Sequence, residues 1–246
     1  MNFFKNSVYL NHANKSLAWL PMDTKDLYEK NLINKYELLK KYDWIDTNIV
    51  YNFNNQGFRC ADFEDGPSGP SVIFLGCSFT LGIGLSKKDI FPTLVSNELN
   101  LTCYNLAQAG SSSDTAFRLG YYWIPQLKPK LVVMLAPEIH RLEHLYMTEK
   151  NEIESVKFLP QLQNLEEWYK KYILIKENSD LNRIKNHLAI ENICQTNNVK
   201  LLYLTYEDHF LKFRNKFGLD HMARDLAHPG KITHKKFAEE ILSMID

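Results

Sequence analysis

The chain has few of the features that would settle a function at once. Its four cysteines, Cys60, Cys77, Cys103 and Cys194, are scattered without a CxxC pair. That argues against a zinc site or a disulfide framework and fits reduced thiols. There is no excess of charge: 29 Lys and Arg stand against 29 Asp and Glu. Composition therefore offers no electrostatic case for nucleic acid or an anionic membrane. No apolar run approaches the roughly 20 residues that span a bilayer. The opening MNFFKNSVYLNHANKS lacks the continuous apolar core and small-residue cleavage site of a signal peptide, so a cytoplasmic setting is expected. Internal repeats and low-complexity segments are absent as well. What remains is 246 residues with an apolar fraction of 45%, suited to one large domain or one domain with a sizeable extension.

Residues 1–70 read as an N-terminal extension packing on a core of residues 71–246. Within the extension, Leu27, Leu32, Tyr36 and Leu39 form a loose helical stripe, and Ile49–Phe53 reads as extended. Gly66-Pro67-Ser68-Gly69-Pro70 is turn chemistry, a hinge into the main domain. Beyond it, strand and helix patterns alternate. Strands are expected at Val72–Gly76, Thr102–Leu106, Leu131–Ala136 and Val199–Thr205. Helices are expected near Ile90–Leu99, over Asp114–Trp123 with Pro125 as its stop, over Ser179–Asn197, and over Lys231–Met244. In the third of these, Leu181, Ile184 and Leu188 share one face, while Ile190 and Ile193 fall on the other side, so its second half is expected to be buried more fully. This alternation implies a mostly parallel sheet with right-handed crossovers, and ligands bind outside the carboxyl ends of such strands. Ser78, Gly110, Glu138 and Asp208 all fall just past strand ends. The stretch Pro137–Glu177 is too long for an ordinary connection and reads as a helical insertion or a lid.

Chemistry concentrates at the two ends of the core. VIFLGCSFTLGIGL, Val72–Leu85, stops a buried strand on Gly76-Cys77-Ser78 and adds glycines at 82 and 84. ARDLAHPG places Asp225 three residues before His228, just ahead of the last helix. With that spacing the acid can orient an imidazole, which in turn can take a proton from a serine hydroxyl. The plainer readings are a turn serine, and an aspartate that caps the helix.

Gly76–Gly84 resembles the GDSFTxGxG opening of the SGNH/GDSL hydrolases, and Asp225-Leu226-Ala227-His228-Pro229 resembles their closing DxxHP. Asn105–Ser113 (NLAQAGSSS) is similar to the family's second segment. Asn54–Arg59 (NNQGFR) is similar to an element of the branch related to polysaccharide O-acetyl esterases and acyltransferases. The resemblance spans roughly Asn54 to Leu242. It implies a three-layer α/β/α fold with a mostly parallel central sheet and flavodoxin-like architecture, a Ser78–His228–Asp225 triad, an oxyanion site built from the N–H groups of Ser78 and Gly110, an ester of a carbohydrate or small molecule as substrate, and neither metal nor cofactor. Cys77 stands where the family has aspartate. After the third strand, Glu138 stands where the family's GxND supplies an asparagine donor. An ionised carboxylate cannot donate, and losing one oxyanion donor costs about 10²–10³ in rate.

Glu138, His140 and Arg141 are the candidates for facing substrate, with a surface ion-pair set of Glu138, Arg141 and Glu143 as the competing reading. His209 competes with His228 as base. The active reading predicts a Ser78 hydroxyl within hydrogen-bonding reach of the His228 ring, or looser without ligand. A serine esterase leads; acyl transfer on the same triad, or a non-catalytic glycan-binding or partner-binding protein, are the alternatives. Oligomeric state is not legible.

Overall fold

The computed structural model describes residues 5–63, 69–149, 153–160, 166–205 and 221–245. Four short, wholly parallel strands form the central sheet: β3 (Ser71–Leu75), β4 (Thr102–Asn105), β5 (Leu131–Ala136) and β8 (Lys200–Thr205), in the order β4-β3-β5-β8. Strands β1 (Ser16–Leu17) and β2 (Tyr51–Asn52) pair with each other in the N-terminal region. The two middle strands, β3 and β5, are buried at every position and read as almost wholly apolar runs because both faces are covered. Alternate residues point opposite ways. Ile73, Leu75, Val132 and Met134 pack with Leu119, Trp123 and Ile124 of α5 (Ser113–Leu127) and with Ile190 and Cys194 of α7 (Lys176–Thr196). Val72, Phe74, Val133 and Leu135 pack with Phe91 and Val95 of α4 (Phe91–Glu98) and with Phe237 and Ile241 of α8 (Lys231–Ser243). The result is three layers, α/β/α, with one core on each side of the sheet.

The order has a functional consequence. From β3 the chain first crosses to β4 on one side, and then returns past β3 to β5 on the other. The carboxyl end of β3 is thus the topological switch point, where open α/β sheets place their ligands. The residue that starts the next turn there is Ser78, in the single-turn helix α3 (Ser78–Leu81).

Three expectations need correcting. Helix α5 runs through Pro125 to Leu127 and ends at Lys128, whose φ is +42°. A proline in the last turn forfeits one backbone hydrogen bond, and burial of Ile124 and Leu127 outweighs it. In α7 the stripe Leu181, Ile184 and Leu188 faces outward, each residue more than half exposed. The buried face carries Ser179, Asn182 and Asn186 instead, because Asp114 at the start of α5 accepts hydrogen bonds from both asparagine amides, at 3.0 and 2.9 Å. Finally, the stretch Pro137–Glu177 is not simply helical. It folds as an antiparallel hairpin, β6 (Leu142–Met147) and β7 (Ile153–Phe158), followed by α6 (Glu167–Leu174).

The N-terminal region contributes α1 (Lys25–Asn34) and α2 (Tyr36–Lys41), the stripe being interrupted at Lys35 (φ −141°). Its buried Leu39, Trp44, Ile49 and Tyr51 share a third core with Leu81, Ile83, Leu85, Ala223 and Leu226. These last five lie on the loops that carry Ser78, Asp225 and His228. Residues 64–68, most of the expected hinge, fall outside the described residues, as do Asp208 and His209.

Candidate active site

Strand β3 ends at Leu75, and the turn that follows is possible only because Gly76 lacks a side chain. A Cβ there would lie 2.1 Å from Thr80 Oγ1 and 3.2 Å from the Leu135 carbonyl. Cys77 is extended (φ −105°, ψ −152°), and the chain then coils for one turn. Gly82 N–H donates to Ser78 O at 2.9 Å, and Gly82 itself is left-handed at φ +81°. A Cβ on Gly82 would meet Ile90, and one on Gly84 (φ +72°) would meet Ala223 and the Arg224 N–H. These glycines therefore let the loop after Ser78 press against the segment that leads into Asp225 and His228. The Arg224 N–H donates across that seam to Gly84 O at 3.1 Å.

Asp225 and His228 form a tight unit. One carboxylate oxygen accepts the backbone N–H groups of Ala227 and His228 at 3.1 and 3.0 Å; the other meets His228 Nδ1 at 2.5 Å. Both side chains are buried, the carboxylate fully. Leu226, between them, is left-handed at φ +54°, a conformation costing a branched residue about 1–2 kcal/mol, which the two backbone bonds to Asp225 help to offset. With the carboxylate as acceptor, Nδ1 carries the proton and Nε2 keeps its lone pair. The His228 ring meets the Phe79 ring edge-on, centroids 5.5 Å apart, which places it beside the residue that follows Ser78. Ser78 Oγ and His228 form no hydrogen bond among the described residues.

The second loop is tied to the first. Gly76 O accepts from Ser111 Oγ at 2.6 Å and from Gln108 N at 3.3 Å, and Asn105 Nδ2 donates to Thr80 O at 2.8 Å. Gly110, at φ +67°, sits within this loop, and neither its N–H nor that of Ser78 finds an acceptor among the described residues.

The remaining candidates separate. His140 Nδ1 lies 3.0 Å from Ser179 Oγ on α7, and its carbonyl accepts from Tyr169 OH; it is held by the outer helices. Glu138 pairs with Arg141 at 3.4 Å. Glu143 is no surface residue: it takes a bidentate pair from buried Arg118, both bonds 3.0 Å. His234 is buried, stacked on Phe91, and accepts the Phe91 N–H at 3.1 Å.

The residues that hold the two motif loops carry no motif of their own, save Arg59. Arg59 is fully buried and donates to the carbonyls of Leu81, Gly82 and Leu85 at 3.0, 2.8 and 2.6 Å. Burial pushes its guanidinium down to about 10. The Tyr51 ring lies beneath it at 4.5 Å, and the Tyr51 hydroxyl accepts the Gly84 N–H at 2.7 Å while donating to Asp23 at 2.5 Å. Burial, and then Asp23, raise that phenol well above its ordinary value. Asp23 completes the chain with a bidentate pair to Arg224, at 3.0 and 2.7 Å. The GFR element signals Arg59; only the folded chain reveals Asp23, Tyr51 and Arg224.

Among the described residues there is no group of three or more His, Cys, Asp or Glu suited to a metal, and no helix long and apolar enough to cross a membrane. No protein-family model matches the sequence, and no curated protein does. Among solved structures, the chain is similar to a carbohydrate esterase (14% identity, covering 72% of this chain and 68% of that one, TM-score 0.45). It is also similar to the psychrotrophic esterase EstA of Pseudoalteromonas sp. (15%, 72% and 97%, 0.38) and to an acetyl xylan esterase, AlAXEase (15%, 72% and 100%, 0.35). None of the three reaches a TM-score of 0.5, so the chemistry has to be read from the side chains.

Proposed function

We propose that this chain is a serine esterase of the SGNH type, acting on a carboxylic ester, with an O-acetyl group on a carbohydrate as the preferred substrate class. The observation that carries the proposal is the Asp225–His228 pair, locked at 2.5 Å and seated against the loop of Ser78. In the neighbouring loops, two backbone N–H groups, of Ser78 and Gly110, have no acceptor among the described residues. Ser78 Oγ attacks the acyl carbon and its proton passes to His228 Nε2. The carbonyl π pair moves onto oxygen, which the two N–H groups receive. Collapse expels the alcohol, protonated by His228, and leaves an acyl-serine; water, deprotonated by the same imidazole, releases the acid and restores Ser78. Asp225 fixes the tautomer and balances the imidazolium. Transfer of the acyl group to a sugar hydroxyl instead of water uses the same residues.

A short-chain p-nitrophenyl ester assay with Ser78→Ala tests the proposal directly. Hydrolysis should fall by at least about 10³-fold, and a fluorophosphonate probe should label wild type and spare the variant. A different reading, binding without turnover, is favoured by Glu138 in the donor's usual place. Glycan binding by a chain whose Ser78 refuses the probe would decide for it.

A further inference from the structure

Helix α7 is inverted along its first half. Its buried face carries Ser179, Asn182 and Asn186, while the opposite face carries Leu181, Ile184 and Leu188, exposed by 58%, 53% and 57%. Spacings of three and four residues stack these side chains in one row along the helix. Single apolar residues on a surface are ordinary, but a contiguous row marks a contact face. Just ahead of the helix, Leu174 and Ile175 are exposed as well. The two edges of the row carry opposite charges. Asp180 immediately precedes Leu181 and Lys185 immediately follows Ile184, so they flank the row on opposite sides. Lys185 is exposed and has no counter-ion among the described residues. Asp180 makes a solvated pair with Lys176, four residues before it, at 3.4 Å, which is a weak competitor for a partner from outside.

We infer that this face is the contact between two copies of the chain, their α7 helices lying side by side and parallel about a two-fold axis. The side chains select that occupant and that direction. In a parallel pair each position of the row meets its own mate, so Leu181, Ile184 and Leu188 each face the same residue of the second copy. The edges that meet are opposite ones, which sets Asp180 of each copy against Lys185 of the other. In an antiparallel pair the row is read backwards, leaving Leu188 against Glu177 or Leu181 against Glu191, and like edges meet, so that Asp180 and Lys185 never do. The remaining surface of α7 is taken by α5, α6 and β8, which leaves space for one partner helix. Glu177 and Glu191 stand next along the row in either direction and close the seam. Three apolar layers make a small interface, so the dissociation constant is expected on the order of 10 µM. This association goes beyond the esterase reading and does not depend on it.

The test is sedimentation velocity of the full chain from about 1 µM to about 300 µM, for wild type, Ile184→Glu, Lys185→Glu, Asp180→Lys and the charge-swapped double variant, with thermal unfolding of each to confirm the fold. Wild type should pass from monomer to dimer across the range. Ile184→Glu should stay monomeric throughout with unchanged unfolding, because its side chain is exposed. Lys185→Glu and Asp180→Lys should each weaken association by at least about fivefold, and Asp180→Lys/Lys185→Glu should return to within about twofold of wild type. A wild-type chain that is monomeric at the highest concentration overturns the inference and leaves the face to a different protein. A dimer that survives Ile184→Glu is built on another surface and overturns it too. So does a charge swap that fails to restore association.

Discussion

Replacing Asp23 by alanine should destabilise the protein far more than an N-terminal position suggests. Its side chain is 1% exposed, and it holds the Arg224 guanidinium through two bonds of 3.0 and 2.7 Å while accepting the Tyr51 hydroxyl. Without it, a guanidinium 3% exposed keeps, among the described residues, the Ala18 and Thr47 carbonyls, the face of the Trp19 ring at 3.9 Å and the Tyr28 ring at 5.9 Å. Removing one member of a buried ion pair costs about 3–5 kcal/mol, because the survivor stays charged and desolvated. A typical domain has only about 5–15 kcal/mol in all. The double variant Asp23→Ala/Arg224→Met strands no charge, so its loss should be clearly smaller than the sum of the singles, by about 1–3 kcal/mol. Urea unfolding followed by tryptophan fluorescence reads this, since Trp19 and Trp44 sit at the network: Trp44 Nε1 donates to Met222 O at 2.7 Å. A cost below about 1 kcal/mol for Asp23→Ala, or strict additivity in the double variant, would refute the coupling of this region to the Arg224 loop.

Asp225→Asn keeps an oxygen for the Ala227 and His228 N–H groups but turns an amide donor toward His228 Nδ1, forcing the wrong tautomer. The chain should stay folded while kcat drops by about 10⁴-fold, and a drop below tenfold would remove Asp225 from the mechanism. His234 is held neutral, burial and then His228 pushing it from 6.5 down to about 3. Between those two values the unfolded chain binds a proton that the folded chain refuses, so stability should fall as the pH falls below about 6.5. In urea titrations at pH 7 and pH 5, His234→Asn should lose part of that decline; an unchanged difference between the two pH values would contradict the assignment.

The strands of the core were legible because a parallel strand buried on both faces has little choice of composition. The run Leu131–Ala136, buried at every position, is the plain case. Helix α7 misled for the converse reason. Periodicity identifies a stripe without saying which way it points, and the face turned to the sheet was chosen by Asp114, whose two amide partners, Asn182 and Asn186, reach it across the fold. Pro125 misled because a proline's cost depends on its place in the helix, which local sequence does not show. At the site, Gly76, Ser78, Asp225 and His228 announced themselves through local turn chemistry: each is constrained by neighbours within a few residues. Asp23 and Arg224 obey no such local rule, and their pairing joins positions 201 residues apart.

The stretch after β5 shows the same limit at closer range. Sequence reasoning looks for a substitute immediately after β5, where Glu138, His140 and Arg141 follow one another. The fold withdraws His140 to Ser179 and turns Glu138 and Arg141 upon each other. Lys157, whose stem lies over Gly110, comes from the return strand of a hairpin, and its position is set by register: Glu143 opposite Lys157, His144 opposite Val156. Side chains alternate along a strand, so a slip of one residue would carry Lys157 to the other face and bring a neighbour over Gly110. What pins the register is the buried Arg118–Glu143 pair, with the Glu143 N–H donating to Asp114 at 3.0 Å. A lysine placed in this way is invisible to motif spacing, because the residues that set its position lie on α5 and β6.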